Sequence, residues 1–354
     1  MGARRFVRPF FMRKTTMPKL TDLTARAKPL LPGLMLSATI AAAASFLGAH
    51  YGAPVMLFAL LLGMAFNFMH TDGPCGPGVD FAAKFVLRLG VGLLGIRIAL
   101  DDMAQIGLSG AALLVGLIAA TIATGFIAAP LFKRQWRFAL LTGGAVAICG
   151  ASAALAIAAV IPHNDKTERN TLFTVMAVTA LSTIAMVLYP LLFGGLGFTE
   201  VEQGFLIGAT IHDVAQVVGA GFTVSDTAGE TATITKLFRV AMLPVVLIVI
   251  GLVLRASGAG QGTGRVALLP WFMVLFLALV GLGSVVELPV ILVEQVNTLS
   301  RVCLVTAIAA LGVKTSLKAL AAVGPGHMAI VVVETLVLLG LAMALLLAFH
   351  PIQG

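Results

Sequence analysis

Charge is scarce in this chain. Of its 354 residues only 11% are Asp, Glu, Lys or Arg, and 59% are hydrophobic, with a mean hydropathy of +1.05. An ordinary soluble domain carries roughly 25% charged residues. A charge content this low leaves too little polar surface for one large soluble core or for two soluble domains, so lipid must solvate most of the chain. Cysteine is nearly missing: Cys75, Cys149 and Cys303 lie far apart without a C-x-x-C pair, which excludes a disulfide framework and argues against a zinc site. No G-x-x-x-x-G-K-[ST], H-E-x-x-H or G-x-S-x-G is present, so ATP hydrolysis, zinc proteolysis and nucleophile-elbow chemistry are set aside. The formal charge of +8 does not point to nucleic acid, because Lys and Arg sit in short loops, neither spread along one face nor interleaved with aromatics.

Apolar stretches near 20 residues, bounded by Gly, Pro and charge, number about eleven. They cover 29–48, 54–69, 81–100, 109–132, 138–162, 171–193, 205–224, 231–254, 267–285, 290–313 and 326–349. The expectation is an all-α polytopic membrane protein with a transmembrane domain over 29–349 and a short tail at 350–354. Residues 1–28 carry eight Lys and Arg against the single acid Asp22, and read as a basic cytoplasmic tail. With the N-terminus inside, the basic runs Lys133 to Arg137, Arg255 to Arg265 and Lys314 to Lys318 fall on the cytoplasmic side. Asp101, Asp102, Asp226, Glu230 and Glu287 fall outside. Lys166 and Arg169 are the exception, landing in an outer loop.

LLGIRIALDDMAQIG (93–107) aligns with ALGVKTSLKALAAVG (310–324), pairing Leu94 with Leu311, Gly95 with Gly312 and Arg97 with Lys314. Each copy is followed by a long apolar helix, giving matched stretches 93–132 and 310–349. Their opposite placement predicts an inverted-topology repeat, an architecture of secondary transporters.

The segment 205–224, FLIGATIHDVAQVVGAGFTV, sets His212, Asp213 and Gln216 into an otherwise lipid-compatible run. Ionisable and polar groups at membrane depth cost several kcal/mol and usually face a bundle interior or wet cavity. Gly208, Gly219 and Gly221 flank the cluster, where a helix is expected to break. In 138–162, Gly143, Gly144 and Gly150 do the same. A half-helix starting near Gly150 would aim the free N–H groups of Ala151 and its neighbours, and the Ser152 hydroxyl, at the membrane centre. Close packing of small residues is the alternative. On a continuous helix His212 and Gln216 would share a face, with Asp213 about 100 degrees away. Asp213 could exchange protons, or be held in an ion pair with Lys236 or Arg239. Those two cations lie three apart, and could neutralise it, present charge to an anion, or snorkel. Glu334 is the clearest lone intramembrane acid, for which pairing ranks ahead of a coupling role. Glu294 and Arg301, seven apart with Asn297 between them, are expected to form pairs.

The stretches Cys149–Ala153, His212–Gly221, Lys236–Val240 and Ala307–Leu317 resemble the YeiH-type family of bacterial inner-membrane proteins, commonly labelled sulfate exporters. The resemblance runs from about 29 to 349. That family is similar to the sodium/proton antiporter and bile-acid symporter superfamily. The likeness implies inverted repeats, a panel part, a core part, and two discontinuous helices crossing at the midplane, for which 138–162 and 205–224 are the candidates.

The expected function is therefore secondary transport of a small inorganic or organic anion across the cytoplasmic membrane by alternating access. The resemblance implies export of sulfate or a related sulfur oxyanion or sulfonate, with protons or sodium as coupling ions. Gly150, Ala151, Ser152, His212 and Gln216 are the substrate-binding candidates. Asp213, Lys236, Arg239 and Glu334 are the candidates for coupling or charge compensation. No catalytic residue, metal or cofactor is expected; the lipid bilayer is the surrounding partner, and a homodimer is compatible with relatives. The alternatives are a cation/proton antiporter, or a membrane enzyme using Cys149 or His212.

Overall fold

The computed structural model describes residues 28–51, 54–98, 100–162, 166–256, 270–286, 288–315 and 325–349. The tail through residue 27, Arg265, most of the second repeat copy after Thr315, and 350–354 lie outside them. Every element among the described residues is helical. In chain order they are α1 (Leu31–Tyr51), α2 (Val55–Ala65), the single turn α3 (Phe68–Thr71), α4 (Gly76–Phe81), α5 (Leu87–Leu94) and α6 (Leu100–Leu131). There follow α7 (Trp136–Ala147), α8 (Ala151–Val160), α9 (Thr167–Gly195), α10 (Glu200–Thr210), α11 (Val214–Val224) and α12 (Asp226–Ala256). The chain ends with α13 (Trp271–Val285), α14 (Val290–Lys314) and α15 (Pro325–Phe349). One π-helical turn, Ala82–Val86, joins α4 to α5 without a break. Six helices are long and apolar enough to cross a membrane.

Packing sorts these helices into two bundles. One holds α1, α2, α4, α5, α13 and α14; the other holds α6 to α12 and α15. The first is drawn together by small residues. Gly63 of α2 lies against the backbone of Ala309 and Gly312, and Gly312 lies in turn against Leu60 and Gly63, so that any Cβ at either position would collide with the facing chain. Asn67 donates to the Val313 carbonyl at 2.8 Å and Lys314 pairs with Asp80 at 2.7 Å, closing one end of this bundle. At the other end Arg97 reaches the second bundle, at 2.7 Å from Glu230 and 3.4 Å from Asp226 of α12.

Two expected spans do not run through. Gly204 packs on Ala228 and Thr231, and Gly208 on Ala232 and Thr235, so α10 runs parallel to α12. Gly221 then packs back on Ala228 and Gly229, so α11 runs antiparallel to the same helix. Ser225 donates to Glu200 at 2.8 Å, tying together the two open ends of this hairpin. Likewise Gly144 of α7 abuts Ile157 of α8. A straight helix would hold that pair about 20 Å apart at 1.5 Å per residue. The stretches expected to span as 138–162 and 205–224 are thus two helical hairpins, and the count of eleven is revised. Twenty-five apolar residues satisfy lipid equally well crossing once or folding back at a Gly-containing turn, provided the turn is buried in protein.

The hairpins enter from opposite ends of α9. The first places Gly150 beside Val178, and the second hangs His212 and Asp213 on the Ser182 hydroxyl, whose oxygen accepts from both backbone N–H groups at 3.2 and 3.0 Å. Val178 and Ser182 are one turn apart in the middle of this 29-residue helix. The tips therefore meet halfway along it.

Candidate functional site

At the tips the backbone leaves helical geometry. Ile148–Gly150 separates α7 from α8, with Gly150 at φ 61 and ψ −119, a region that a side chain disfavours. Ile211–Asp213 separates α10 from α11. Four half-helix ends consequently converge: the C-termini of α7 and α10, whose last carbonyls lack intrahelical partners, and the N-termini of α8 and α11, whose first N–H groups do.

Lys236 and Arg239, both fully buried on α12, serve the two C-termini. The Lys236 ammonium donates to the carbonyls of Ile148 and Ile211 at 2.7 and 2.8 Å. The Arg239 guanidinium donates to Val146 at 2.8 Å, to Ala147 at 2.6 and 2.9 Å, and to Gly208 at 3.1 Å. Neither forms an ion pair with Asp213 among the described residues. The pairing or snorkelling expected for them gives way to this role, because orphan carbonyls at two buried helix ends offer charge-assisted bonds that lipid cannot replace.

Asp213 caps α11 instead, its Oδ1 accepting from the Ala215 N–H at 2.8 Å. It is half-buried. His212 and Gln216 do not share a helical face, since His212 lies in the non-helical tip. The His212 Nε2 is 3.0 Å from the Thr335 hydroxyl. That hydroxyl also stands 2.7 Å from the Val331 carbonyl, so with Nε2 protonated the imidazole donates to it and with Nδ1 protonated the hydroxyl donates to Nε2. Nδ1 is buried and makes no hydrogen bond among the described residues. Gln216 donates to the Thr183 hydroxyl at 2.8 Å, and its Oε1 is likewise buried and unpartnered. Ser152 sits in the first turn of α8 on an exposed face, so its hydroxyl does not join the others; Ala151 is half-buried beside it.

Glu334 is fully buried beside α7. Among the described residues no cation pairs with it as expected; Lys236 and Arg239 are occupied by carbonyls, and the Thr142 hydroxyl stands 2.7 Å from Oε1. Adjacent residues of α15, Glu334 and Thr335, thus touch one hairpin each. The hydroxyls of Thr142, Ser182, Thr183 and Thr335 are the site residues that the sequence did not single out. Their only signal is polarity within apolar helices, which the many Thr and Ser side chains bonded to their own helix carbonyl share. Among the described residues no three metal-ligating side chains cluster.

Half-charges decide the sign of this junction. Two cations contribute +2, two helix C-termini about −1, two N-termini about +1 and ionised Asp213 −1, for a balance of about +1.

Comparison with known proteins assigns the chain to a family. The family model described as conserved hypothetical protein 698 matches residues 32–346. A UPF0324 membrane protein of Paracoccus denitrificans, TauZ, is 53% identical over 310 residues, covering 87% of this chain and 92% of the relative. A UPF0324 membrane protein of Rhizobium meliloti is 52% identical, covering 86% and 89%, and one of Chlorobaculum tepidum is 48% identical, covering 87% and 86%. No solved structure matches. The chain belongs to the UPF0324 family of membrane proteins, the YeiH-type group that its motifs resemble.

Proposed function

We propose that this protein is a secondary transporter of a small anion in the bacterial cytoplasmic membrane, sulfate or a related sulfur oxyanion or sulfonate, with no catalytic step. The observation that carries the reading is the meeting of two opposed hairpin tips over a buried Lys236 and Arg239 that form no ion pair among the described residues. Structural ion pairs would have cancelled that charge; instead it is held on backbone dipoles, which leaves room for a mobile counter-ion. The anion sits at the N-termini of α8 and α11, close to Gly150 and Asp213.

In this reading nine segments cross the bilayer: α1, α2, the Gly76–Leu94 helix, α6, α9, α12, α13, α14 and α15. The two hairpins are re-entrant, and the N-terminus is cytoplasmic. Lys133, Arg134, Arg137, Lys166, Arg169 and Arg255 then all lie on the cytoplasmic side, and Glu200, Glu202, Asp226 and Glu230 on the other. The Lys166 and Arg169 exception disappears. The inverted repeat gains support from packing: α5 lies antiparallel to α14 in one bundle, with Asp80 against Lys314 and Gly90 against Ser300, while α6 and α15 pack together in the other. Alternating access is a movement of the hairpin bundle along its neighbour, whose mutual contacts are sparse.

Coupling is assigned to Asp213, whose carboxylate caps the N-terminus of α11 where the anion would sit. In proteoliposomes, labelled sulfate uptake is expected to saturate and to respond to an imposed pH gradient. Asp213→Asn keeps the cap on α11 and should keep sulfate flux while losing the pH response. Absence of sulfate flux, with sodium collapsing the pH gradient, would overturn the anion reading in favour of a cation antiporter.

A further inference from the structure

A second polar crevice lies away from the hairpin tips. Between the two bundles, on the side of Ser225 and Asp226, lies a crevice of ≈ 1010 Å³. Its walls come from α1, the start of α2, the end of α5, the middle of α14 and the outer part of α11. Phe222 and Val305 are among its lining residues. Two cations line it. Arg97 is already neutralised by Glu230 and Asp226. Among the described residues Arg301 forms no ion pair, and the expected partner Glu294 is not joined to it. Arg301 stands eleven residues inside α14, about 16 Å from its start at 1.5 Å per residue. A guanidinium so far along an apolar helix needs water or a counter-ion.

Asn297 lies one turn before Arg301, on the same face and in the same crevice, with Thr298 and Thr306 beside them. A planar fork of N–H donors beside a side-chain amide matches a tetrahedral oxyanion or sulfonate, which accepts two parallel hydrogen bonds from a guanidinium. We infer that Arg301 and Asn297 form an outer subsite for the transported oxyanion, separated from the tip junction by the second arm of the hairpin. The ligand assignment rests on the transport reading above; the position rests on the crevice. A phospholipid headgroup presents the same chemistry, and the test separates the two sources.

The test uses the full chain with Cys75, Cys149 and Cys303, all buried, replaced by Ala. Thr298→Cys, which lines the same crevice, is reconstituted in this background in vesicles and exposed to anionic and cationic methanethiosulfonates of similar size. With Arg301 intact, the anionic reagent is expected to react about tenfold faster than the cationic one, as a nearby unit charge in a partly wet crevice dictates. Arg301→Gln should erase the preference. Millimolar sulfate should slow modification only when Arg301 and Asn297 are present. No reaction at Thr298→Cys, a preference indifferent to Arg301, or failure of sulfate to protect would each overturn the subsite. So would protection that follows the phosphatidylglycerol content of the vesicle and ignores sulfate. Sulfate flux through the unsubstituted chain is read separately: flux without protection removes the subsite alone, and protection without flux removes the transport reading while the oxyanion site stands.

Discussion

Lys236 shows how a charged side chain can be fully buried and still stabilise. Desolvating an ammonium costs several kcal/mol, and replacing a buried ion pair by apolar groups is often neutral. Here, however, the partners are backbone carbonyls that a mutation cannot remove. Lys236→Met keeps the length and most of the volume but strands the oxygens of Ile148 and Ile211, each costing about 1–3 kcal/mol when left unsatisfied. Arg239 compensates little, since its reach to the Ile211 carbonyl is 3.4 Å. The relief of ammonium desolvation offsets part of the loss, and the expected net destabilisation is about 2–4 kcal/mol. Thermal unfolding in detergent checks this, and a variant melting with the unsubstituted protein would mean that the carbonyls find other donors. Asp80 illustrates the ordinary case: its pair with Lys314 at 2.7 Å is partly exposed on both sides and contributes only about 0–1 kcal/mol.

At the scale of the hairpin, the turn is the element under constraint. Gly150 occupies a positive φ with ψ near −119, and a Cβ there would stand 3.4 Å from the His212 Cβ of the opposing tip. Gly150→Ala should therefore cost about 1–3 kcal/mol in backbone strain at the tip. The matched control is Gly251→Ala, where a Cβ meets nothing within 4 Å. The expected result is a lowered melting temperature and reduced sulfate uptake for Gly150→Ala and neither for Gly251→Ala; equal behaviour of the pair would remove the tip contact from the mechanism. These breaks were legible in the sequence, because Gly143, Gly144 and Gly150, and the polar His212, Asp213 and Gln216, interrupt apolar runs. The fold-back was not. Hydropathy is the same for a stretch that crosses and one that returns, and the contacts that reverse the chain, Gly204 and Gly221 on α12, are distant pairings that no local pattern encodes. The roles of Lys236 and Arg239 were hidden for a related reason: their partners are carbonyls, which every residue carries.

For the whole molecule, the two hairpins reverse the orientation of everything between them, and α9 is the helix that registers it. Eleven simple crossings from a cytoplasmic N-terminus would put Glu168 outside and Leu196 inside. Nine crossings and two re-entrant hairpins put Glu168 inside and Leu196 outside. Both side chains are exposed at opposite ends of the same 29-residue helix, so a single pair of variants decides. In a cysteine-free background, Glu168→Cys should resist an impermeant maleimide applied to intact cells and react after permeabilisation, while Leu196→Cys should react from outside. The reverse pattern would overturn this orientation, and with it the cytoplasmic placement of Lys133, Arg134, Arg137, Lys166 and Arg169. The charge distribution argues for the first outcome. Moving Lys166 and Arg169 to the cytoplasm, together with Lys133, Arg134 and Arg137, leaves Arg97 as the one cation among the described loop residues on the outer side, and that cation is neutralised by Asp226 and Glu230.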